Sequence, residues 1–204
     1  MGKNRLFSFV GYLCMCWWCF WSNIRFRKSK RFISEVEFSN RLDIYNLPYT
    51  EAIKNIKQLV KNLYKSFKWT ADGADQLWDA ITPPPQNYQH YLDGILKDDC
   101  DGFHSLVHFC LSLNQIECYL LTANEVGGGH CILTFKLNNK WHIVDYSTVY
   151  EGYDTLAEAV KAYDDVYVVK YKTKTKVLFN GLVNYDYDKG KFYPVRAKSL
   201  AWED

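Results

Sequence analysis

Cys131-Ile132-Leu133-Thr134-Phe135-Lys136-Leu137, then Asn138-Asn139, then Lys140-Trp141-His142-Ile143-Val144-Asp145-Tyr146, reads as two apolar strands around a two-residue turn. Branched and aromatic side chains favour the pleated backbone, and Asn tolerates the positive φ that a tight hairpin demands. Pairing Leu137 with Lys140 and counting back sets His130 opposite about residue 147, within two residues of Asp145. His130 and Asp145 then share parity, and in a twisted pair a diagonal contact between them is in reach.

Outward from the hairpin, Ile116 to Thr122 reads as a further strand, and Gly127-Gly128-Gly129 precedes His130. The glycines let backbone or substrate approach closely. Before these strands, Phe103, Leu106, Val107, Cys110 and Leu113 recur at helical spacing and predict a helix over 101–114. Asp98 to Asp101 mark its start, because carboxylates favour a helix N-terminus. Cys100 sits at that start, where the helix dipole lowers a thiol pKa and backbone amides can hold an oxyanion. Asp99 and Asp101 oppose the thiolate, so a basic partner is required, and His130 is the candidate. Cysteine nucleophile, histidine base and aspartate orienter form the set that acyl transfer through a thioester needs.

Earlier still, Ile53, Ile56, Leu59, Val60, Leu63, Tyr64 and Phe67 predict an amphipathic helix from Thr50 to about Trp69. A short helix is expected over 74–81, stopped by Pro83-Pro84-Pro85 and followed by an extended loop. Beyond the hairpin, Thr155-x-x-Glu158 is a capping box and predicts a helix over 155–163. Strands are expected over 166–178 and 181–195, with a turn at Asp188-Lys189-Gly190. Helices first and antiparallel strands after predict an α+β domain with the helices on one side of the sheet.

The chain has 204 residues, 48% of them hydrophobic and 17% aromatic, enough for a full core. The net charge is only +2 but unevenly spread. Residues 1–31 hold Lys3, Arg5, Arg25, Arg27, Lys28, Lys30 and Arg31 and no acid, leaving 18 bases against 23 acids, a net of −5, for the remainder. The mildly acidic body argues against nucleic-acid binding. Leu6 to Trp21 carries no charge and is short for a membrane span of about 20 residues. With its tryptophans and basic flanks, this head is expected either to associate with a membrane or to be buried against protein. The organisation expected is an anchor or assembly segment over 1–31, a linker over 32–49 and the body over 50–204. Seven cysteines without a disulfide framework favour a reducing compartment. Cys14-x-Cys16-x-x-Cys19 lacks a fourth metal ligand, and Cys100, His104 and His108, four apart on one helix, are a weaker metal alternative. No phosphate-binding glycine loop occurs.

Phe67-Lys68-Trp69, Asp75-Gln76-Leu77-Trp78, Thr82-Pro83, Asp99-Cys100-Asp101-Gly102, Gly129-His130 and Val144-Asp145 together resemble the transglutaminase-like cysteine peptidase superfamily, especially its bacterial and phage branch. The resemblance covers about 80 residues. It implies a papain-like α+β fold in which Cys100 is the nucleophile, His130 the general base and Asp145 its orienter. It also implies an upstream oxyanion donor, for which Gln86 and Gln89 are the candidates. Some bacterial members bind calcium through acids flanking the cysteine, which points to Asp99 and Asp101. Two carboxylates alone are too few for a calcium cage. Gly102 departs from the pattern, since the branch usually has an acid there. The activity implied is hydrolysis of a protein or peptidoglycan amide at a membrane or cell envelope. The alternative is a non-catalytic structural or binding module of a larger, virion-like assembly, held by the N-terminal segment.

Overall fold

The structure, a computed structural model, describes residues 3–26, 44–70, 80–125, 128–171 and 178–195. It is an α+β architecture. Helices α1 (Lys3–Arg25), α2 (Tyr49–Ser66), α3 (Pro84–Leu92) and α4 (Cys100–Leu113) come first. A two-residue strand pair, β1 (Lys68–Trp69) and β2 (Lys97–Asp98), lies among them. Then follow β3 (Glu117–Glu125), β4 (Gly128–Leu137), β5 (Lys140–Asp145) and β6 (Thr148–Tyr153), helix α5 (Leu156–Tyr171), and strands β7 (Leu178–Asp186) and β8 (Lys191–Val195). The six long strands make one antiparallel sheet in the order β6-β5-β4-β3-β7-β8.

Asn138 and Asn139 both take positive φ, 50° and 60°, and Leu137 pairs with Lys140, as their turn chemistry requires. The sheet is buried on both faces. Leu133, Val144 and Val183 face a core shared with Ile56, Phe103 and Leu106. Their neighbours Ile132, Ile143 and Leu182 face a second core with Leu156, Ala159 and Tyr163 of α5. A strand covered on both sides reads as a continuous apolar run. The sheet therefore lies between helices, with α5 the one behind it among the described residues, and the expectation of helices on one side holds for α1–α4.

Two expectations are corrected, and a third lies largely outside the described residues. Pro83 to Pro85 do not force an extended loop: Pro83 is the N-cap of α3 and Pro84 and Pro85 open its first turn. Those positions need no N–H donor, and proline's fixed φ suits them. Of the helix expected over 74–81, residues 71–79 lie outside the described residues, and Ala80 and Ile81 are not helical. Helix α5 continues to Tyr171 through Val166, where a strand was expected. Its capping box forms as drawn: Glu158 N–H donates to Thr155 Oγ1 at 3.1 Å, and Thr155 N–H donates to Glu158 Oε2 at 3.2 Å. Propagation from a well-capped start, anchored by Leu156, Ala159, Val160 and Tyr163, outweighs the context-dependent strand preference of valine. Strand β6 was not anticipated; it pairs with β5 across a turn at Tyr146-Ser147.

Helix α1 packs on β7 and β8 through Met15, Cys19 and Ser22. Gly181 of β7 makes this contact close: its φ is +145°, and a Cβ there would meet Met15 Cε at 2.4 Å. Ser22 Oγ accepts from the Ile81 N–H at 3.0 Å. The Asn23 amide makes two hydrogen bonds with the backbone of Phe192 on β8, donating to its carbonyl and accepting from its N–H, both at 2.8 Å. No described helix is long and apolar enough to cross a membrane.

Candidate active site

Asp99 caps α4, its Oδ1 accepting from the Asp101 N–H at 3.0 Å, so Cys100 is the first residue of the helix. The thiol is half-buried. Its Sγ accepts from the backbone N–H of Cys131 at 3.4 Å, which sets the thiol against β4 beside His130. His130 Nε2 lies 3.2 Å from Asp145 Oδ1, with the imidazole 15% and the carboxylate 2% exposed. Backbone pairing places both residues: His130 lies opposite Ala123 of β3, and Asp145 opposite Thr148 of β6. An imidazole that donates from Nε2 to the carboxylate keeps its base function at Nδ1.

Sequence reasoning missed what His104 does. One turn after Cys100 and fully buried, its Nδ1 lies 2.6 Å from the Cys100 carbonyl oxygen. Its Nε2 accepts from the Tyr146 N–H at 3.1 Å, so the proton is on Nδ1 and donates to Cys100. One neutral ring thus ties the backbone of Cys100 to the residue after Asp145. Burial pulls its pKa down to about 4, which keeps it neutral. Tyr146 holds a φ of +48°, a costly conformation for a bulky residue, and the His104 bond helps fix it there. Phe67, Phe103 and Tyr146 stack into a wall here, with Tyr146 6.0 Å from the His130 ring. Burial first, then the nearby Cys100 and Asp145, push the Tyr146 phenol up.

His108 does not join Cys100 and His104 in a metal site. Its Nε2 donates to Asn184 Oδ1 at 2.9 Å and its Nδ1 accepts from the Tyr187 hydroxyl at 2.8 Å. Burial lowers its pKa to about 4. All seven cysteines are free thiols. Burial pushes Cys19, Cys110 and Cys118 up to about 12 and so disfavours their thiolates.

Gln86 is half-buried in the first turn of α3. Gln89 turns along the helix, donating to Asp93 Oδ1 at 2.9 Å. The neighbouring Asn87 ties α3 to α4, donating to the Gly102 carbonyl at 2.9 Å.

Asp99 and Asp101 are joined by Asp98: one oxygen from each of the three carboxylates lies within 4.8 Å of the others. Gly102 makes room for the third, since a Cβ there would meet Asp98 Oδ2 at 2.0 Å. The space beside Gly102 is thus filled by the carboxylate of Asp98. Three hard oxygen donors fit calcium in kind, though it takes about six to eight oxygens, so main-chain carbonyls or water would complete the set.

With this geometry in hand, comparison with solved structures gives Legionella pneumophila LapG at 14% identity, a TM-score of 0.39 and 74% of each chain covered. No protein-family model matches the chain. No curated protein matches it in sequence.

Proposed function

We propose that the chain is a thiol-dependent amide hydrolase of the transglutaminase-like type, with Cys100 as nucleophile, His130 as base and Asp145 as orienter. The observation that carries the reading is the pair of bonds converging on β4: Cys131 N–H to Cys100 Sγ, and His130 Nε2 to Asp145 Oδ1. They bring a thiol at a helix start and a carboxylate-bound imidazole to adjacent residues of one strand.

His130 takes the thiol proton as Cys100 Sγ bonds to the substrate's amide carbon. The oxyanion forms against the first amides of α4, with Gln86 the candidate for an added side-chain donor, since Gln89 is held by Asp93. The tetrahedral species then expels the amine, which leaves with the proton from His130. Water, deprotonated by the same imidazole, cleaves the thioester and returns the acid product and the free thiol. Calcium held by Asp98, Asp99 and Asp101 would offset the repulsion these carboxylates exert on the Cys100 thiolate. The substrate class is a protein or peptidoglycan amide, by the resemblance of the motifs.

Iodoacetamide labelling from about pH 4 to about pH 9, read by peptide mass spectrometry, tests the reading. Cys100 is expected to react well below the free-thiol pKa of about 8.5. His130→Ala is expected to slow it by about 100-fold at neutral pH. If Cys100 reacts no faster than Cys110 or Cys118, the nucleophile does not exist and a non-catalytic binding module takes its place.

A further inference from the structure

Helix α1 has two faces, and only one is used by the fold. Met15, Cys19 and Ser22 are buried on β7 and β8. Leu13, Trp17, Phe20 and Ile24 are 50%, 50%, 54% and 46% exposed. At about 100° per residue, these four lie within an arc of roughly 60° on the side opposite the docked face. Their rings associate with one another, Trp17 and Phe20 lying 5.9 Å apart. A soluble helix normally turns charge outward at such positions.

The charge flanking this stripe in the sequence is all of one sign. The helix ends at Arg25, which lies 5.6 Å over the Phe26 ring, and the sequence runs straight on into Arg27, Lys28, Lys30 and Arg31. The first acid in the chain is Glu35. Aromatic and aliphatic side chains flanked by Arg and Lys match the boundary between acyl chains and anionic headgroups. A second copy of the chain fits less well. Four half-exposed side chains offer on the order of 400 Å², about half of the ~800 Å² per partner that a stable protein interface takes. Seven bases with no acid in residues 1–31 would also repel their like.

We propose that the outer face of α1 binds the surface of an anionic lipid bilayer, lying in the plane of the membrane while its inner face stays docked on the sheet. Because the inner face is committed to β7 and β8, the helix lies on the bilayer rather than across it. This inference is independent of the chemistry assigned to Cys100.

The test is co-sedimentation of the full chain with vesicles of phosphatidylcholine alone or of phosphatidylcholine and phosphatidylserine in equal parts. The wild type is expected to pellet with the anionic vesicles and to bind neutral ones about tenfold less tightly. Trp17→Gln with Phe20→Gln is expected to weaken anionic binding by at least about tenfold and to leave the melting temperature unchanged. The proposal is overturned if the wild type does not pellet, or if the double variant pellets as well as the wild type. It is also overturned if the wild type sediments as a dimer that the double variant dissolves while vesicles recruit neither. That last outcome makes the face an interface between copies.

Discussion

α4 and α1 are the two most apolar of the described helices, and they invert the usual division of inside and outside in opposite directions. α4 is buried from Asp101 to Leu111 and takes Asp101, His104, Ser105 and His108 inside with it. α1 leaves Leu13, Trp17, Phe20 and Ile24 in solvent. A buried polar group persists only where partners satisfy it, and an apolar stripe persists outside only where something repays its exposure. Both helices therefore depart from what stability alone would select. In α4 the departure builds the surroundings of a thiol; in α1 it builds a surface.

The largest way to break α4's side of the contrast is acid. His104 and His108 are lowered from 6.5 to about 4 by burial, so the unfolded chain takes up protons before the folded one does. Their contribution is complete above pH 6.5 and is lost as pH falls toward 4, on the order of 3 kcal/mol for each. Thermal melts across that range should show a steep fall in melting temperature, and His108→Gln should reduce its slope by one proton. A flat profile would remove the claim that neutral buried imidazoles hold α4.

His104→Ala comes next. It takes the side-chain partner from the buried Tyr146 N–H and one of the bonds on the Cys100 carbonyl, at a cost of about 2 kcal/mol in urea denaturation. It should also slow Cys100 labelling, because the ring joins the thiol's own residue to the one after Asp145. Lost stability with labelling intact would make the ring purely structural.

On α1, truncating the two faces should give unequal results. Met15→Ala removes a buried side chain and should cost about 2 kcal/mol. Trp17→Ala, on the outer face, should stay within about 0.5 kcal/mol. Equal costs in chemical denaturation would mean that the two faces are not distinct.

Calcium gives the smallest effect. Excess calcium is expected to raise the wild-type melting temperature by a few degrees, and chelator to reverse it. Gly102→Ala, whose Cβ would displace the Asp98 carboxylate, should abolish the shift. Survival of the shift in that variant would place the ion elsewhere.

What could be read from the sequence followed from how local the cause was. The Asn138-Asn139 turn, the Thr155–Glu158 capping box and the stripe of α2 are each decided within a few residues, and each appears. The prolines before α3 misled because the residues that break a helix interior also suit its first turn. α5 outran its expected end because the strand preference of Val166 depends on context, and a helix already capped and anchored through Tyr163 continues at little cost per residue. The expected contact between His130 and Asp145 rested on hairpin register. The tie through His104 could not be seen, since its partners lie four and 42 residues away and only folding brings the second one near. Asp98 was hidden for a related reason: its place beside Asp99 and Asp101 depends on the missing side chain of Gly102.

The amide of Asn23 has a further consequence for the chain among its own copies. β8 is a border strand, and its outward donors and acceptors are the kind that recruit a neighbouring molecule into a growing intermolecular sheet. Asn23 occupies the N–H and carbonyl of Phe192 as a strand would, and Pro194 offers no N–H at all. The helix that carries Asn23 therefore works as a stopper on the border. A chain in which α1 lifted away would uncover at once an open strand border and the apolar Met15 and Cys19, so a seated helix should make the protein resist self-association.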